Sequence, residues 1–209
     1  MFRNKQKNID VSQRYEFSTS IELIKSMSEA NEDITEKIDF LEYSLDVVRT
    51  DLISLYRAKQ FYKEVINPNT NLFPFPARFI NNEKLVINLA DTPLFTIPWK
   101  RESITDLIKH FKKEPFIGND NHLAFYYQYI NICYVHNGIH SSTIAKYYKK
   151  GSITADTYNM ADVYKSIHTN GEKWFYTENN NIIADVFDYR VAVIFEIGRL
   201  IYEEKSRCQ

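Results

Sequence analysis

Ile34, Ile38, Leu41, Leu45, Val48, Leu52 and Leu55 recur in alternating steps of four and three. Steps of three and four keep side chains on one stripe of an α-helix, whereas a strand needs steps of two. The run therefore predicts one long amphipathic helix over about 32–66. Tyr62 and Ile66 continue it less cleanly, and Asn67-Pro68 stops it. A single apolar stripe cannot bury itself, so two partners are open. One is a short preceding helix with the domain behind it; the other is a second copy of the chain, in a homodimer through the 34–55 face.

Residues 1–17 are polar and mixed and read as a loose arm. Ser18-Thr19-Ser20 then offer caps for a short helix through Ile21, Leu23, Ile24 and Met27, so that 18–67 forms a helical hairpin. Residues 67–82, NPNTNLFPFPARFINN, hold three of the six prolines. This linker must wrap against something, because Leu72, Phe73, Phe75 and Phe79 need a place to bury. Residues 83–209 follow as an α+β domain. Leu85-Val86-Ile87 and Leu94 to Ile97 read as strands, and Arg101 to Lys113 as a helix with Ile104, Leu107, Ile108 and Phe111 on one face. Extended segments are expected at 122–129 and 130–136, a helix at 141–149, and strands at 153–158 and 174–177. The last helix, about 183–204, is apolar over so wide a surface that it should be buried on more than one side, with Glu196 and Arg199 pairing three residues apart. The expected class is thus α+β: a helical N-terminal part, a small mixed sheet and a buried C-terminal helix.

At 209 residues and 44% apolar residues, the chain can build a substantial core. Lys and Arg (26) nearly balance Asp and Glu (27), which argues against duplex DNA as a partner. Aromatics are heavily used, with fifteen Tyr and fourteen Phe; tyrosine carries apolar area and a polar tip, either as half-buried filler or as a surface that stacks on rings. Two cysteines, Cys133 and Cys208, make neither a disulfide framework nor a zinc spacing, and Cys133 sits in an apolar strand pattern as a small hydrophobe. The sequence contains no apolar signal core and no run of apolar residues long enough to span a membrane, so a cytoplasmic location is expected.

Chemistry concentrates in Ile130 to Tyr148, INICYVHNGIHSSTIAKYY. A strand that meets an Asn137-Gly138 turn and opens a helix brings free backbone N–H groups and polar side chains to one point, which suits an anion such as phosphate. His140 is the candidate acid/base or phosphate contact; its competing role is a first-turn or capping side chain. Ser141 and Ser142 either cap the helix or hold a ligand with the same geometry. His136 and His140 are four apart, but Asn-Gly breaks any helix between them and no carboxylate or cysteine completes a set, so no metal is expected. Asp91, Asp120 and Asp156 are scattered turn positions, any of which could reach the site. The sequence has no Walker-type loop, no G-x-S-x-G elbow and no H-E-x-x-H.

The order of elements from Lys84 to Ser152 resembles the ParB/sulfiredoxin-like superfamily. Leu94-Phe95-Thr96-Ile97-Pro98-Trp99, the helix from Arg101, the extended segments from His122 and Asn137-Gly138-Ile139-His140-Ser141 are the counterparts of that superfamily's elements. The sequence also looks like an uncharacterised bacterial and phage domain family with an Asn-Gly-x-His-Ser signature. The resemblance implies a nucleotide or another phosphorylated ligand at 137–142, with Mg2+ as a companion ion and phosphoryl transfer or hydrolysis as the reaction. Ser141 stands where the superfamily carries a phosphate-holding arginine, which leaves Arg101 and Lys146 as the candidate cations. Sulfiredoxin-type reduction is excluded, since its cysteine position is Ile139. The alternative is a non-enzymatic phage or mobile-element interaction protein, dimeric through the long helix, that binds a protein or a small signalling molecule.

Overall fold

The computed structural model describes residues 2–59, 61 and 71–208, apart from the side chains of residues 2–12 and of Arg101. Among these residues the chain is α+β. Its elements in order are α1 (Phe2–Glu29), α2 (Ile34–Lys59), β1 (Ile80–Asn88), β2 (Leu94–Phe95), α3 (Arg101–Lys113), β3 (Ala124–Tyr127), β4 (Ile132–Val135) and α4 (Ile139–Tyr147). There follow β5 (Ser152–Tyr158), α5 (Met160–Ser166), β6 (Ile167–Thr169), β7 (Lys173–Tyr176), β8 (Ile182–Asp185) and α6 (Tyr189–Arg207). They form two compact units: residues 1–49, 72–75 and 160–209, and residues 50–71 and 76–159. No helix of the described residues is long and apolar enough to cross a membrane.

The first unit packs α1 against α6 and adds an antiparallel sheet in the order β6-β7-β8. Its centre is aromatic. Trp174 is fully buried, with the rings of Phe73, Phe75 and Phe195 at 5.9, 5.9 and 5.1 Å, all near-perpendicular. The linker residues Leu72, Phe73 and Phe75 are thus core residues, as their apolar character requires. Gly171 has φ 87, and a Cβ there would stand 2.5 Å from the Cβ of Phe17, so glycine lets the β6–β7 turn close on α1. Within α6, Glu196 is buried and accepts from Arg199, which also donates to Glu203 at 2.7 Å. Pairing is what makes a buried carboxylate tolerable.

The helical expectations shift in three ways. No loose arm precedes residue 18: α1 starts at Phe2, because no Gly or Pro interrupts the sequence before it, and Ser18-Thr19-Ser20 lie inside the helix instead of capping it. Its buried face is Phe17, Ile21 and Ser28, while Leu23 and Met27 are exposed. Helix α2 covers 34–59 of the expected 32–66; the expected continuation through Tyr62 and Ile66 and the Asn67-Pro68 stop lie outside the described residues. Leu41, Leu45 and Leu52 of its stripe are buried within the single chain, and Ile34, Ile38, Val48 and Leu55 are half-buried. The expected helix at 183–204 begins only at Tyr189, because 182–185 form β8 and Asp188 caps α6 by accepting from the Arg190 N–H at 2.9 Å. Asp188→Ala should cost about 1 kcal/mol of unfolding free energy in urea titration, as lost caps do; an unchanged midpoint would mean that Asp188 does not cap α6.

The second unit is a five-stranded mixed sheet in the order β1-β5-β3-β4-β2. β1 pairs antiparallel with β5, β5 parallel with β3, β3 antiparallel with β4, and β4 parallel with β2. Strand β4, Ile132-Cys133-Tyr134-Val135, is buried at every position, which explains its unbroken apolar run. Burial pushes the Cys133 thiol up to about 12, so it is inert filler. Helices α3 and α4 pack on each other, and Phe111, Ile139, Ile144 and Ala145 join Leu94, Ala124, Cys133 and Val135 in one core. Helix α3 keeps its expected bounds, though Ile108 is exposed. Helix α4 opens at Ile139, two residues earlier than expected, since the turn glycine itself sits at the N-cap. Strand β2 is only Leu94–Phe95, while Leu85 and Val86 on the edge strand β1 are exposed.

Candidate functional site

Strand β4 ends at Val135, and the next three residues turn the chain into α4. The N–H groups of His136 and Asn137 both donate to the Leu123 carbonyl, at 3.0 and 3.2 Å, which pins the turn to the start of β3. The His136 ring stacks on Phe125 at 4.9 Å. Gly138 takes φ 72 and caps the helix through its backbone alone. Among the described residues no side chain caps α4, which leaves the N–H groups of Ile139, His140 and Ser141 available in its first turn.

That turn lines one side of a cleft of about 740 Å³. The other side comes from Trp99 and, on α3, Ser103, Asp106 and His110. Trp99 is 57% exposed, a large ring left open to solvent. His140 Nε2 accepts from the Lys100 N–H at 2.9 Å, and its ring meets Trp99 edge-on at 5.6 Å. This bond fixes the tautomer and leaves Nδ1–H as the remaining donor. Burial, with the Lys100 charge second, holds His140 below the usual imidazole range. Burial also lowers His136, against an opposing pull from Asp156.

Behind the turn stands His122. Its Nε2 lies 2.8 Å from Ser141 Oγ, and its Nδ1 lies 2.9 Å from Asn119 Oδ1 and 3.1 Å from the Asn119 N–H. Ser141 Oγ is also 3.0 Å from the Gly138 carbonyl. Ring and turn touch so closely that a Cβ on Gly138 would be 2.5 Å from His122 Cδ2. Burial lowers His122 as well. The ring borders a second cleft, of about 720 Å³, with Asp120 and Asp156 on its wall.

One protein family matches this sequence over residues 2–208. The chain belongs to DUF6710, a family of unknown function. No curated protein and no solved structure matches it.

In this DUF6710 chain, Asn137, Gly138, His140 and Ser141 do come together on the cleft wall. Other expected residues do not join them. Ser142 is fully buried and its Oγ has no hydrogen-bond partner among the described residues, so it neither caps α4 nor lines the cleft. Lys146 is one turn too far along α4: its Nζ donates to the Ala90 carbonyl at 2.9 Å. The Arg101 side chain lies outside the described residues. Asp91 is engaged by Asn88 at 2.8 Å in the turn before β2. Among the described residues no group of three or more His, Cys, Asp or Glu could hold a metal ion.

Sequence reasoning missed His122 and Asn119. The signal that could have found them is the hairpin. Antiparallel pairing of β3 with β4 sets Ala124 opposite Val135, so residues just before β3 lie beside residues just after β4. A histidine two residues before one strand is thereby brought to a turn three residues after the other.

Proposed function

We propose that the cleft at the first turn of α4 binds a small phosphorylated ligand, with nucleotides as the leading class. The observation that carries this reading is the uncapped first turn, whose three free N–H groups sit on a cleft wall beside His140 and the exposed ring of Trp99. Helix N-termini attract anions through unpaired N–H groups and the helix dipole. Lys100, beside His140, adds positive charge at the mouth. Trp99 offers a face on which a base can stack. The element order that resembles the ParB/sulfiredoxin-like superfamily supports the same ligand class. A dimer through the 34–55 face has weaker support, because Leu41, Leu45 and Leu52 are already covered within one chain.

The test is a thermal-shift series with inorganic phosphate, AMP and ATP, each with and without Mg2+. A true ligand at 100 times its Kd stabilises the fold by about 2.7 kcal/mol. At least one nucleotide should raise Tm, and His140→Ala should diminish the shift by removing the ring donor. Equal shifts in the variant, or none in the wild type, would remove the site from consideration.

A further inference from the structure

We propose that Ser141 is a nucleophile, with His122 as its general base and Asn119 as a positioning residue, and that it receives the phosphoryl group of a phosphate monoester bound in the cleft. This deepens the binding reading above and rests on it for the substrate class.

Three observations lead there. First, the hydroxyl, imidazole and carboxamide lie in hydrogen-bond sequence, with Ser141 Oγ to His122 Nε2 at 2.8 Å and His122 Nδ1 to Asn119 Oδ1 at 2.9 Å, the Ser141 hydroxyl having the Gly138 carbonyl at 3.0 Å as its other acceptor. A hydroxyl within hydrogen-bond reach of a base that a third group orients is the arrangement that activates serine. Second, Asn119 presents both kinds of partner to Nδ1, its N–H at 3.1 Å as well as its Oδ1. The ring can therefore be neutral with Nδ1 bare, neutral with Nδ1–H, or an imidazolium donating from both nitrogens. A base that must take up and release a proton needs that latitude; a histidine that only ties down a loop needs one state. Third, the relay singles out one of two adjacent serines. Ser141 is half-buried on the cleft wall, whereas Ser142 is fully buried with no partner for its hydroxyl. Gly138 makes the approach possible, because any side chain there would meet the imidazole. Burial also keeps the ring neutral, and so ready to accept a proton, down to lower pH than an ordinary imidazole.

The chemistry balances without a further reactant except water. Ser141 Oγ attacks phosphorus in line with the ester oxygen, its proton passes to His122 Nε2, and the ester P–O bond breaks on the opposite side, where the leaving alkoxide takes a proton from water. The hydroxide so formed attacks the phosphoserine from that side. The P–Oγ bond breaks as His122 Nε2 returns its proton to Oγ, and alcohol and phosphate are the products. The free N–H groups of the same helical turn are placed to hold the non-bridging oxygens in both steps.

A fluorophosphonate probe tests the nucleophile, since Oγ attack expels fluoride and leaves a stable adduct. Peptide mass mapping should locate the adduct on Ser141. Ser141→Ala should abolish it, His122→Gln should slow it by about 10²-fold or more, and Asn119→Leu should slow it while Asn119→Asp, which keeps the acceptor, restores it. Circular dichroism confirms that each variant is folded. Adduct on another residue, or His122→Gln reacting at the wild-type rate, overturns the relay. The substrate class is read from p-nitrophenyl phosphate against p-nitrophenyl acetate; turnover of the acetate alone overturns phosphoryl transfer. Inorganic phosphate in a thermal-shift assay separates the two readings, because Ser141→Ala keeps every backbone donor. A phosphate shift with no adduct sinks the nucleophile and leaves binding intact. An adduct with no phosphate shift sinks the binding reading and the substrate class with it.

Discussion

Gly138→Val should destabilise the protein by about 2–5 kcal/mol, from backbone strain and overpacking together. At φ 72 a β-branched residue is in a conformation it rarely adopts, and its Cβ would arrive 2.5 Å from His122 Cδ2 and 3.2 Å from the Asn121 carbonyl. The two contributions separate by substitution. Gly138→Asn tolerates the left-handed backbone but still meets the ring, so it should recover part of the loss and no more. Urea unfolding measures both variants. Since the imidazole must give way, the contact between His122 and Ser141 should go too, and fluorophosphonate reactivity with it. Wild-type stability in Gly138→Val would mean that His122 does not pack on the turn as described.

Trp174→Ala should be as damaging to the first unit, at about 3–5 kcal/mol for truncating a buried large aromatic. The ring is fully buried, and three aromatic rings meet it edge-on, so their contacts are lost together and a cavity is left. Trp174→Phe supplies a contrast. Trp174 Nε1 is buried with no hydrogen-bond partner among the described residues. Replacing the indole by a phenyl ring removes an uncompensated polar group as well as volume, so the loss should be clearly smaller than the size change alone suggests. Thermal unfolding of the two variants checks the ordering. A phenylalanine variant as unstable as the alanine one would show that the indole nitrogen is satisfied.

The parts of this fold that were legible in the sequence are those fixed by local pattern. Helix α3 could be bounded at Arg101 and Lys113 because Pro98 precedes it and its apolar positions repeat at helical spacing. Strand β4 declared itself by an unbroken apolar run between turn residues. The segment from Asn137 to Ser141 was legible as a corner because Asn-Gly can only turn there. Harder elements failed for physical reasons. The apolar residues of β8 adjoin those of α6, and a short apolar run carries no period of its own, so only the cap at Asp188 divides them. Helix α6 was known to be buried, yet hydrophobic breadth does not say which partner receives it; within its unit it packs on α1. His122 was invisible as a partner of Ser141 because their proximity belongs to strand pairing, not to spacing along the chain.

The pairing of α1 with α6 carries a further consequence, for the order in which the molecule is made. The first unit gathers residues 1–49, 72–75 and 160–209, whereas the mixed sheet is complete by residue 159. On the ribosome the mixed sheet can close while α6 is still unmade, and α1 waits with the Phe17 and Ile21 stripe uncovered. Such a stripe is what holdase chaperones bind. Loss of α6 should therefore cost α1 its partner, and the nascent chain should be most exposed to aggregation between completion of the mixed sheet and the emergence of α6.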